Sequence, residues 1–494
     1  MNLAQIARIR ARALWNGPRA PRRVFTAGVG NIGSWPVGRR LACLFLISLY
    51  LSGAPYFAVP AGPIKANLSP ANLLMVLILG YYYWTRFAQE RIGRSFWSAL
   101  RVSTAQFMSE PSWLRLPLAV SLVFVTSILI GAFKPGENIA LAKFFTGLTG
   151  IGALLVVAKT LVTWDDAIVF LRLLLILLVP VGVLTLLGLL DVIPPEKAPY
   201  FFNGYNEGRR FAGIQFPSGA NTTFAFVAEI LALYLAVGLS LLLGTLRRPT
   251  LFGQRFSRVT AVALAAFFLF IIVIVQNRSA WMGVLPLVPL MLGTQVANML
   301  RRPLRFALIF LLAALPAVFF AYVIFEIGGP ISRDEIYQAY LTRNRPHIFG
   351  VELPRDSFVN AVQRLRLFEQ AGNWLLDNPL TGAPDSAFAA FNGHSAYPQM
   401  VAAAGAVPIV GLLALLVVVS TKARRVLTDQ EVALRWAMIS AVYAMLLMSL
   451  FFFGLFLKEF FMACGLLMMV SGRLSLAPMG EPAPESGRQA AVST

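Results

Sequence analysis

Apolar runs of about the 20-residue length that carries a helix across hydrocarbon recur along this chain, separated by short polar breaks. They fall near 41–60, 68–86, 114–133, 140–160, 167–192, 221–245, 259–277, 279–299, 304–327, 398–420, 432–450 and 453–472. The pattern predicts an all-α membrane protein with about twelve transmembrane helices. Only one long polar segment separates them, from about Gly328 to Tyr397, with a shorter one over Pro194–Ala220. The expected organisation is a basic N-terminal segment 1–40, helices one to nine over 41–327, and a loop domain 328–397. Helices ten to twelve follow over 398–473, then a tail 474–494 rich in Pro, Gly, Ser and Ala that is expected to be disordered.

Composition agrees with that pattern. A chain that is 58% hydrophobic and 13% charged has too little polar surface for a soluble globule. The basic stretch before the first run shows no A-x-A-like cleavage site, so the first span is expected to act as its own insertion signal. A net charge of +20 raises nucleic acid as a partner, but no zinc-finger, basic-zipper or RNP-type pattern accompanies it. The basic residues instead sort by loop. Arg39 and Arg40, Arg91 and Arg94, Arg247 and Arg248, Arg301 and Arg302, and Arg424 and Arg425 all fall on one side of an alternating twelve-span register. The positive-inside rule makes that side cytoplasmic and places the 328–397 segment outside. Cys43 and Cys464 both lie in apolar runs, which offers neither a disulfide framework nor a Cys/His zinc cluster.

The outer segments carry arginines that this rule does not ask for: Arg333, Arg343, Arg345, Arg355, Arg364 and Arg366 in the long one, Arg209 and Arg210 in the short one. Such a surface is simply solvated, touches anionic lipid, or binds phosphate through guanidinium forks. Arg278, in "IVIVQNRSAWMGVL", sits between two apolar runs with almost no loop. It either snorkels to headgroups or faces a polar cavity. His394 is one of two histidines and lies just before the tenth apolar run. An imidazole there is an interfacial side chain or a proton acceptor.

The stretch "HSAYPQMVAAAGAVP" resembles the signature of the O-antigen ligase and O-antigen polymerase superfamily, H-N-x-Y/F followed by a glycine eleven residues after the histidine. His394, Tyr397 and Gly405 fit it, with Ser395 where the family carries asparagine. Upstream, "RLRLFEQAGNWLLDNPLTGAP" resembles R-L-x-L-W-x-x-A…N-P-L-x-G-x-G, with Arg364, Phe368, Ala371, Asn378, Pro379 and Gly382 in register and Pro384 where the family carries the second glycine. "NRSAW" resembles that family's S-R-S/G-A motif, and "RFAGIQFPSGANTTF" is a fainter likeness to R-x-x-G-x-F-x-N-P-N. The resemblance implies a GT-C-like fold in the bacterial inner membrane. It also implies inverting, metal-independent transfer of a glycan from an undecaprenyl-pyrophosphate carrier to lipid A-core or a growing polysaccharide, without a cofactor, on the periplasmic face.

The residue chemistry is compatible with that implication. Departure of a diphosphate is stabilised by fixed positive groups, for which Arg278 and Arg364 are the candidates. The acceptor hydroxyl must lose a proton, and a neutral imidazole with an ordinary pKa of about 6.5 suits His394 to take it. Arg210, Arg366 and Tyr397 are the candidates for substrate binding. The outer carboxylates are scattered and form no D-x-D pattern, so no metal ligands are proposed. Ligase and polymerase share these motifs. A polysaccharide or polyprenyl-lipid transporter is the alternative from another class, although no internal repeat is evident. A scaffold without chemistry would give Arg278 and His394 no role.

Overall fold

A computed structural model describes residues 35–51, 58–61, 64–67, 69–89, 108, 110, 112–133, 138–195, 202–203, 209–211, 214–216, 223–226, 228–247, 257–275, 283–284, 347–348, 351–352, 367–383, 395–421, 429–450 and 454–473. Along them run α1 (Val37–Leu51), α2 (Pro70–Gln89), α3 (Ser112–Ser127), α4 (Leu129–Ala132), α5 (Asn138–Thr160), α6 (Trp164–Leu189), α7 (Ala228–Arg247) and α8 (Arg258–Ile274). A further helical segment covers 367–377. Then come α9 (Ala396–Ala404), α10 (Val407–Ser420), α11 (Asp429–Met448) and α12 (Lys458–Met468). Small antiparallel ribbons lie between helices, β1 (Ala58–Ala61) with β2 (Ile64–Asn67) being the longest.

Five stretches among the described residues are long and apolar enough to cross a membrane: Ser112–Gly131, Lys143–Thr160, Trp164–Leu189, Ala228–Leu246 and Glu431–Met448. The chain is a polytopic, largely helical membrane protein. Its exposed surface agrees: Val410, Leu413 and Val417 recur along one face of α10 and are exposed, while Leu412, Leu415 and Val419 on the other face are buried. An apolar stripe left uncovered by protein is what lipid covers.

The expected count of about twelve spans, and with it the GT-C-like arrangement, is corrected by these five. Hydropathy registers apolar side chains and is blind to backbone breaks. The run at 398–420 is broken at Gly405 into α9 and the 14-residue α10, whose rise of about 21 Å falls short of the roughly 30 Å of hydrocarbon. The run at 453–472 divides into a 3-10 turn at Gly454–Phe456, the 11-residue α12 and a π turn at Met469–Arg473. The run at 259–277 is the 17-residue α8, about 26 Å long. The expected spans over 279–299 and 304–327 lie outside the described residues, apart from 283–284. So do most of the 328–397 segment, nearly all of the basic N-terminal segment and the tail.

Packing pairs segments that are distant in sequence: α12 lies along α5, α10 along α3, and both α11 and α8 along α7. One end of the bundle is ionic. The Arg39 Nε donates to Asp166 Oδ1 at 2.6 Å, and Asp166 also closes a capping box with Thr163 at the start of α6. Lys159 pairs with Glu110, and its ammonium lies 5.5 Å from the Tyr83 ring. The opposite end gathers α4, α9 and the Gly454–Phe456 turn, and there the motif segments meet.

Candidate functional site

The centre of this end is α9, whose residues are buried on every side except for the half-buried Tyr397. A helix with no lipid-facing stripe must be enclosed by protein. Its first turn is stitched to the last turn of α11. The Ala396 N–H donates to the Ser449 carbonyl at 3.0 Å, and the Ser395 hydroxyl reaches the same oxygen at 3.5 Å. The Tyr397 hydroxyl donates to the Leu446 carbonyl at 3.0 Å. The residue that follows His394 is thereby fixed against the end of α11.

The far end of α9 is locked to the N-P-L-x-G segment. The Ala383 N–H donates to the Ala402 carbonyl at 3.0 Å, and the Ala406 N–H donates to the Pro379 carbonyl at 2.7 Å. Two glycines make this approach possible. Gly405 has φ +59° and ψ −131°, the mirror image of extended backbone, which is open to glycine and closed to L-residues. A Cβ on Gly405 would overlap the Pro379 carbonyl oxygen and lie 2.5 Å from its carbon. Gly382, at φ +75°, is the reciprocal case: its Cβ would strike the Val401 carbonyl oxygen and lie 2.7 Å from that of Ala402. The glycines of two motifs thus face each other's backbone across a latch.

The flank of a third motif reaches the same place. Gly283, five residues beyond Arg278, is so close to α11 that a Cβ would meet the Met448 side chain and come within 2.7 Å of the Ala444 carbonyl oxygen. Gly283 and the residues from Ser395 to Tyr397 therefore both rest on the end of α11. The helical segment 367–377, directly downstream of Arg364 and Arg366, runs into the latch through Asn378, whose N–H donates to the Trp374 carbonyl at 2.8 Å.

Of the six site residues expected from the sequence, His394, Arg278, Arg364 and Arg366 lie outside the described residues. Arg210 is described through its backbone, in β3 (Arg209–Phe211) opposite Gln215 of β4 (Ile214–Phe216). Tyr397 alone has a described side chain. Because its hydroxyl hydrogen is committed to the Leu446 carbonyl, it orients α9, and its oxygen lone pairs remain for a ligand. Among the described residues no three His, Cys, Asp or Glu side chains cluster as ligands of a metal would.

Hydropathy passed over a polar pair in the same bundle. Glu459, at the start of α12, is buried and accepts a hydrogen bond from the Tyr234 hydroxyl of α7 at 3.3 Å. The signal was available: Lys458 and Glu459 are adjacent charges inside an apolar run, where an ionisable residue is costly. Comparison with family models, with curated proteins and with solved structures finds no match for this chain.

Proposed function

We propose that this membrane protein is a glycosyltransferase that moves a glycan from an undecaprenyl-pyrophosphate carrier to a lipid- or glycan-linked acceptor, acting as an O-antigen ligase or as a polymerase of O-antigen or exopolysaccharide. The observation that supports this reading best is the latch between Gly382 and Gly405. It makes one unit of two motif segments whose glycines the sequence holds 23 positions apart. Backbone open only to glycine at both positions lets the two segments approach this closely.

In this reading His394 stands just ahead of the first turn of α9 and takes the proton of the acceptor hydroxyl. The acceptor oxygen forms its bond to the anomeric carbon as the bond from that carbon to the diphosphate oxygen breaks. The carrier diphosphate leaves with the electron pair. Arg278 and Arg364 stabilise its charge, while Arg210 and Arg366 hold donor or acceptor phosphate. Tyr397 keeps α9 oriented. The His394 end of the bundle then faces the periplasm of a bacterial inner membrane, and the Arg39–Asp166 end faces the cytoplasm, as the positive-inside rule requires.

The test is transfer by the purified protein in lipid from an undecaprenyl-pyrophosphate-linked glycan, offered separately lipid A-core and a second lipid-linked repeat unit. Product with the first acceptor identifies a ligase and with the second a polymerase. Absence of product with both, while the labelled carrier crosses a sealed bilayer, would establish transport in place of transfer.

A further inference from the structure

Arg435 lies in the second turn of α11, within a stretch apolar enough to cross the membrane and toward the end of the bundle opposite the motif segments. One of the guanidinium's N–H groups is spent on the protein: Nη2 donates at 2.6 Å to the carbonyl of Ser420, the last residue of α10. Its Nε bonds to no protein atom. The charge has no counter-ion among the described residues. Glu431, one turn earlier, is buried and forms no ion pair with it, and the ion pairs present there belong to Arg39 and Lys159. The carboxyl end of α10 offsets about half an elementary charge. A half-buried arginine at this depth is costly unless an anion meets it.

The surroundings indicate which anion. Ser420 continues the helical spacing of Val410, Leu413 and Val417, the exposed stripe of α10, so the guanidinium stands at the foot of a strip of apolar surface. The Trp436 ring is centred 6.0 Å from the guanidinium carbon, and an indole near the end of a span marks the level of lipid headgroups. A soluble anion would meet the charge and leave the stripe unused. A phospholipid uses both, with its phosphate on the guanidinium and its chains on Val417, Leu413 and Val410. In a zwitterionic lipid the headgroup's own cation competes for that phosphate, so a lipid of net negative charge fits better.

We infer that the Ser420 end of α10, together with Arg435 of α11, is a binding site for an anionic phospholipid, its phosphate on the guanidinium and its acyl chains along the exposed stripe of α10. The lipid supplies the counter-ion that the protein lacks and covers a helix too short to span the bilayer unaided. The site is independent of the glycan reaction proposed above.

The experiment uses the full-length protein in phosphatidylcholine nanodiscs that carry a trace of a photoactivatable lipid, with the same diazirine acyl chain on either a phosphatidylglycerol or a phosphatidylcholine headgroup. Adducts are mapped by mass spectrometry after irradiation. On residues 410–420 the phosphatidylglycerol probe should exceed the phosphatidylcholine probe by about fivefold, the preference that one basic residue gives beside anionic lipid. On the exposed faces of α2 and α8, read at Val76 and Phe270, the two probes should label alike. Arg435→Gln should bring the two yields on α10 together, and Arg435→Lys should keep them apart. Where Arg435→Gln accumulates poorly, the wild-type comparison of α10 with α2 and α8 decides. Equal yields on α10 in the wild type would overturn the inference, as would an excess of the same size at Val76 and Phe270 or one that survives in Arg435→Gln.

Discussion

Substituting alanine for Gly405 places a methyl group where the structure has the Pro379 carbonyl. Two effects set the magnitude. Holding a non-glycine residue at φ +59° and ψ −131° costs about 1–3 kcal/mol. The overlap with Pro379 is with backbone, so it is relieved only by opening the latch. Opening it gives up the Ala406-to-Pro379 and Ala383-to-Ala402 hydrogen bonds, each a net contribution of about 0.5–1.5 kcal/mol. The total is about 2–6 kcal/mol, confined to this corner of the bundle. Hydrogen exchange in detergent should therefore show lost protection over 379–383 and 401–406, with α6 and α7 unchanged. Gly382→Ala should behave alike. Gly80→Ala and Gly372→Ala are the controls: both glycines are helical, with nothing within 4 Å of the position a Cβ would take, and alanine there should stabilise by about 0.5–1 kcal/mol. Unchanged exchange in Gly405→Ala would refute the latch, and so would equal losses in the two controls.

Three further outcomes are expected. Arg39→Met leaves the Asp166 carboxylate, 4% exposed, without its cation and should destabilise the bundle by about 3–5 kcal/mol in chemical unfolding, with Arg39→Met/Asp166→Asn recovering most of the loss; a neutral single variant would show that the pair holds nothing together. Arg278→Lys keeps the charge but not the two-pronged fork, so transfer should fall strongly in the glycan assay, and wild-type turnover would return Arg278 to the lipid headgroups. His394→Ala should lose about 10²–10⁴ in rate with donor binding retained, and wild-type activity should fall on acidification, because the protonated imidazole cannot accept a proton; full activity in an alanine variant that accumulates normally excludes a base at this position.

What the sequence conveyed and what it withheld divide along a physical line. Apolar length marks helices well where nothing interrupts the backbone, as in α6, which runs 26 residues from its Thr163 cap to Leu189 despite Pro180. It fails where a single glycine turns the chain, because hydropathy carries no record of the positive φ of Gly405 or of its close approach to Pro379, a contact made only in three dimensions. The N-P-L-x-G and H-x-x-Y segments were legible as motifs, but their mutual docking was not, since it consists of backbone hydrogen bonds, which no side-chain pattern announces. Tyr397 was legible as a residue, whereas the partner of its hydroxyl hydrogen, a carbonyl 49 positions away, was not. Glu459 shows the opposite case, a charge plainly visible in the sequence whose meaning depends on Tyr234, 225 positions distant.

The shortness of α10 bears on how the chain enters the bilayer. Its 14 residues are strongly apolar, yet about 21 Å of helix does not span hydrocarbon unaided, and α9, the stretch that would extend it, is turned aside at Gly405 and wrapped in protein. The face of α10 that escapes lipid rests on α3, made 287 residues earlier as counted from Phe124 to Gly411, where the glycine's missing side chain lets the helix backbones touch. A nascent chain leaving the translocon at this point has a segment too short to settle alone and a receptive groove already in the membrane. Integration of α10 is thus expected to depend on α3, and damage to α3 should surface as failed integration of α10 rather than of α3 itself.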